Sequence, residues 1–66
     1  MNGAIDTLLQ LYDGSVWDGN LVSKKDRNEL VRAGWAYRFG EGMNAITLQG
    51  VEAVLLLDLQ KLRKGT

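Results

Sequence analysis

The sequence predicts a small α+β domain in the order helix, extended arm, helix, β-hairpin, helix. Three observations carry that prediction. Both ends hold apolar residues at helical spacing, Ile5-Leu8-Leu9-Tyr12 near the start and Leu48-Val51-Leu55-Leu59-Leu62 near the end. Between them, Ser23 opens a short amphipathic run that stops at Gly34. An aromatic run, Trp35-Ala36-Tyr37-Arg38-Phe39, then meets the glycine-bearing turn Gly40-Glu41-Gly42-Met43 and a returning segment, Asn44 to Thr47.

Each element follows from local chemistry. Asn2 is suited to cap a first helix over about 3–12, with Ile5, Leu8, Leu9 and Tyr12 on the buried stripe and Asp6, Thr7 and Gln10 opposite. Asp13-Gly14 ends it. Val16-Trp17 reads as a short strand before the turn dipeptide Asp18-Gly19, and Trp17 is expected to be partly buried, or else exposed as an interface residue. Ser23 is an N-cap with Asp26 three residues on, the acidic position of a capping box. In the helix over 23–33, Leu30, Val31 and Ala33 are expected to point inward and Arg27 to lie at the edge of the buried side. Lys24, Lys25, Asn28, Glu29 and Arg32 share one outer arc. The hairpin covers 35–47, and Thr47 is placed to cap the last helix, about 48–63. There the stripe Leu48-Val51-Leu55-Leu59-Leu62 is expected to face the core. Leu56 and Leu57 lie outside it, so this helix has apolar residues on more than one side and room for a second partner.

Sixty-six residues without a linker, repeat or low-complexity tract make one domain, 1–66. A chain of this size buries only about 60% of its unfolded surface. With no Cys and no His, it lacks a thiolate nucleophile and the commonest metal ligand and general base. Asp13, Asp18 and Asp26 do not have the spacing of a calcium loop, and Gly40-x-Gly42 does not open a helix after a strand as a nucleotide-binding loop would. The expectation is a non-enzyme without metal, cofactor or small-molecule substrate. Eight basic and eight acidic residues cancel, so electrostatic attraction must be local. There is no signal-peptide pattern, and the longest apolar run, Ala53 to Leu57, is far below membrane-spanning length. The expected location is the cytoplasm.

From Ser23 to Gly50 the chain resembles the winged helix-turn-helix domains of bacterial and phage regulators. The residues that carry the resemblance are Leu30-Val31-Arg32-Ala33-Gly34-Trp35, similar to the end of a recognition helix, and Arg38 to Asn44, similar to the wing. Ile46-Thr47-Leu48-Gln49-Gly50 is similar to the opening of those families' last helix. The small size and the Trp17-Asp18-Gly19 arm resemble small phage or prophage proteins. The chain departs from the pattern between Tyr12 and Ser23, where ten residues with two Asp-Gly pairs leave no space for the helix that normally crosses the recognition helix, so either the arm replaces it or the first helix takes its part.

Two binding functions follow. As a DNA-binding or regulatory protein, the chain would offer Lys24, Lys25, Asn28 and Arg32 to phosphates and base edges of double-stranded DNA, with Arg38 adding a backbone contact from the wing. Glu29 on the same arc and Glu41 at the wing tip oppose it. As an interaction or assembly module, with another protein or as a homodimer through the last helix, it would use Trp17, Leu56 and Leu57 as interface residues.

Overall fold

A computed structural model describes the backbone of residues 2–65 and the side-chain surroundings of residues 4–58. It is an α+β arrangement of three α-helices and a three-stranded antiparallel sheet. In chain order these are α1 (Asn2–Asp13), β1 (Val16–Trp17), α2 (Lys24–Arg32), β2 (Ala36–Phe39), β3 (Met43–Ile46) and α3 (Leu48–Gly65). A single 3-10 turn, Asp18–Asn20, is the only helical structure between β1 and α2. The extended arm expected there is therefore a strand plus this turn. β3 is the central strand, with β1 and β2 on either side of it.

The caps expected at Ser23 and Thr47 are formed, whereas Asn2, expected to cap the first helix, is the first residue of α1 itself. Asp26 N donates to Ser23 Oγ at 3.1 Å, and Gly50 N donates to Thr47 Oγ1 at 3.1 Å. Thr47 Oγ1 also donates to the Gly34 carbonyl at 2.7 Å, tying the start of α3 to the end of α2. Ala33 caps the end of α2, and Gly34 turns the chain at φ 83°.

The core is made by Leu8 and Leu11 of α1, Leu30 of α2, Ala36 of β2 and Val54 of α3. Three expected faces are corrected by it. In α1 the buried line is Thr7, Leu8 and Leu11, while Leu9 and Tyr12 are exposed and Ile5 is half-buried. In α2 Leu30 is buried as expected, but Val31 and Ala33 are exposed and Arg27 is 6% exposed. In α3 the core is met by Gly50 and Val54, with Val51 half-buried. Leu48 and Leu55, expected inside, are 77% and 46% exposed. Leu59 and Leu62 lie outside the residues whose side chains are described.

Gly50 explains why α3 turns this way. A β-carbon there would run into the Trp35 carbonyl oxygen and lie 2.6 Å from Ile46 Cγ1. The helix backbone therefore lies directly against the base of the hairpin, and the side without a side chain becomes its core side.

Among the described residues no helix is long and apolar enough to cross a membrane.

Candidate nucleic-acid interface and apolar groove

The outer arc of α2 is formed as its spacing requires. Lys24, Asn28 and Arg32 recur every four residues along one row, with Lys25 and Glu29 beside it, and all five are exposed. Arg32 Nη1 lies 2.9 Å from Glu29 Oε2 in an exposed i,i+3 pair. Such pairs contribute about 0–1 kcal/mol, so a phosphate can take Arg32 from Glu29 at little cost. Neither Lys24 nor Lys25 has a salt-bridge partner among the described residues.

Behind that arc lies a polar cluster built around Arg27. The register pairs Val16 and Arg38 with Asn44, and the pleat turns that row toward α2. Arg27 Nη1 donates to Asp18 Oδ1 at 2.9 Å and to Asn44 Oδ1 at 2.7 Å, and Arg27 Nε donates to Asn28 Oδ1 at 2.8 Å. Asn44 Nδ2 donates to Asp18 Oδ1 at 2.8 Å and to the Val16 carbonyl at 3.0 Å. On the other carboxylate oxygen, Arg38 Nη2 donates to Asp18 Oδ2 at 2.7 Å. Asp18 thus joins the 3-10 turn, α2 and the hairpin. The Asn44 amide, then the two arginines, hold its carboxyl below the usual carboxylate range, against the opposing effect of burial. One carboxylate between two guanidiniums leaves a local excess of one positive charge.

This cluster alters what two expected contact residues can do. Arg38 is half-exposed but already paired with Asp18. Asn28 Oδ1 is occupied by Arg27, so bidentate reading of adenine would require breaking that bond, and its Nδ2 remains as a donor. Lys24, Lys25 and Arg32 are left as the cations most readily offered.

The expected interface residues fall in two places. Leu56 and Leu57 line an open apolar groove of about 270 Å³ with Ile5, Leu30, Trp35 and Ala53. Trp17 is not part of it. Its ring lies against Gly19, and its register with Met43, which also pairs with Phe39, puts it on the sheet face away from α2. It is 55% exposed there, more than the partial burial expected. The Tyr37 and Phe39 rings share that outer face with their centroids 5.8 Å apart.

Sequence reasoning missed Trp35 as a groove wall, Asn44 as a buried polar hub and the exposed side of α3. Asn44 left no signal of this, because a polar residue between Met43 and Ala45 reads as facing outward. Among the described residues no group of acidic side chains is placed to hold a metal ion. No family model matches the chain, and no curated protein or solved structure gives a significant match.

Proposed function

We propose that the chain is a small DNA-binding protein of winged-helix-like form, regulatory in role, that presents the outer arc of α2 to duplex DNA. The observation that carries this reading is the exposed row Lys24-Asn28-Arg32 with Lys25 beside it, on a helix whose opposite side is fixed by buried bonds. A further support is the chain order of helix, short strand, helix and hairpin, with β1 added to the outer side of β3. A recognition helix is usually held by a helix that crosses it. Here α1 packs on α2 through Leu8, Leu11 and Leu30, and the Asp18–Arg27–Asn44 bonds anchor α2 to the sheet.

The charges set the expected strength. Three cations neutralising about three phosphates give a salt slope near −2.7, so affinity falls about 40-fold between 50 and 200 mM salt. The test is an NMR titration of labelled protein with a nonspecific duplex at both salt concentrations. Shifts should concentrate on residues 24–32 and fade with salt, and Lys25→Glu should weaken binding about tenfold or more. Binding undetectable at the lower salt, or insensitive to Lys25→Glu, overturns the proposal.

A protein-interaction role without nucleic acid is favoured by a separate observation, the open apolar groove beside Leu56 and Leu57.

A further inference from the structure

We propose that two copies of the chain pair through α3 in antiparallel orientation, along Leu48, Leu55 and Leu56 and over the adjoining groove. α3 meets its own core through Gly50 and Val54, which uses one side of the helix. On the remaining surface Leu48, Leu55 and Leu56 are 77%, 46% and 59% exposed. These leucines are not required for this core; Glu52 stands between Leu48 and Leu56 on the same row, and Leu56 continues into the apolar groove, the kind of surface that marks an interface.

The pattern selects another helix as the occupant. Leu48 and Leu55 are exposed one heptad apart on α3, and Leu62 continues the seven-residue interval in the sequence, one of the two apolar positions that a helix–helix seam repeats. Charge then selects a second copy and its direction. α3 carries Glu52 and Asp58 in its first eleven residues and Lys61, Arg63 and Lys64 in its last five. Antiparallel pairing sets each acidic portion beside the partner's basic portion and opposes the two helix dipoles. Parallel pairing sets like charges together. A chain of zero net charge adds no overall repulsion between copies. The contact is the same surface on both copies, so it closes at two. The groove lined by Trp35, Ala53 and Leu56 opens next to this seam and can receive side chains from the partner.

This inference does not rest on DNA binding. Its test reads mass on the full chain without nucleic acid, so the two proposals fail separately. Sedimentation equilibrium over a concentration series should give twice the monomer mass for the wild type. Leu55→Glu and, separately, Leu48→Glu should raise the dimer dissociation constant about tenfold or more while circular dichroism stays native. Orientation is read by oxidising a mixture of the single variants Leu48→Cys and Leu62→Cys. The mixed disulfide should form in preference to the Leu48→Cys self-disulfide. A wild type that stays monomeric, or a dimer unchanged by both glutamates, overturns the pairing. Preferential self-linking of Leu48→Cys overturns the antiparallel direction.

Discussion

Replacing Asn44 by alanine tests whether the buried polar cluster holds the arm, α2 and the hairpin together. Asn44 is fully buried and makes three bonds there, accepting from Arg27 and donating to Asp18 and the Val16 carbonyl. Each such bond contributes about 1 kcal/mol net, more when a partner is charged, and the partners left behind stay out of water. The expected loss is about 3 kcal/mol. A domain of this length has on the order of 3–10 kcal/mol in total, so the loss is a large share of its stability. The corresponding fall in Tm is about 10–25 °C. Arg38→Ala is the internal control, because its pair with Asp18 is half-exposed on the arginine side and such pairs contribute about 0–1 kcal/mol. Urea unfolding followed by tryptophan fluorescence measures both variants. If Asn44→Ala costs no more than Arg38→Ala, the cluster does not organise the fold and the account of how α2 is held is wrong.

Two further outcomes follow from the same contacts. Because the folded state holds the Asp18 carboxyl below its ordinary value, its contribution is complete above the unfolded pKa of about 3.9. That contribution is lost as pH falls through the lower folded value. Urea midpoints measured from neutral pH downward should therefore decline below about pH 4, and Asp18→Asn should remove that component of the slope. An unchanged acid slope in the variant contradicts the assignment. Gly50→Ala sets two effects against each other: alanine favours a helix by about 1 kcal/mol, while its β-carbon must push α3 off the Trp35 carbonyl. That carbonyl is fixed by the Thr47 N–H at 3.0 Å, so overpacking should dominate with a net loss of about 2 kcal/mol. A stabilised Gly50→Ala in thermal unfolding would mean that helix and hairpin are not in close contact.

The elements were legible in the sequence because their signals are local. Ser23 and Thr47 cap the helices that follow them, and the glycine turn joins two strands in the expected place. The faces were less legible, for two different reasons. In α1 the lines 5-8-9-12 and 4-7-8-11 both satisfy helical spacing and share Leu8. The second is the more buried, with Thr7, Leu8 and Leu11 inside and Ala4 half-buried, and it contains a threonine that apolar counting penalises. In α3 apolar counting found the richest leucine stripe, yet the helix makes its closest approach through Gly50. A residue without a side chain contributes nothing to such a count. Arg27 was placed at the edge because a charge argues for solvent, and its partners Asp18 and Asn44 stand nine and seventeen residues away in sequence. No local pattern announces bonds of that range.

The polar cluster also bears on the candidate site, because the groups that fix α2 are partly those a DNA ligand would use. With no full helix between β1 and α2, α2 is held by Leu30, packed with Leu8 and Leu11 of α1, and by the bonds to Arg27. The cluster's bonds engage Asn28 Oδ1 and place Arg38 on Asp18, withdrawing two of the five expected contact residues from free use. On the DNA-binding reading, one copy is then left with three readily offered cations and a modest, salt-sensitive affinity. Pairing through α3 would double the cations without changing the cluster. It would also convert the second contact into an intramolecular event, provided that both α2 arcs reach the same duplex. If both proposals hold, the apolar side of α3 and the basic arc of α2 act together, and a neutral chain would gain affinity by association, not by added lysines.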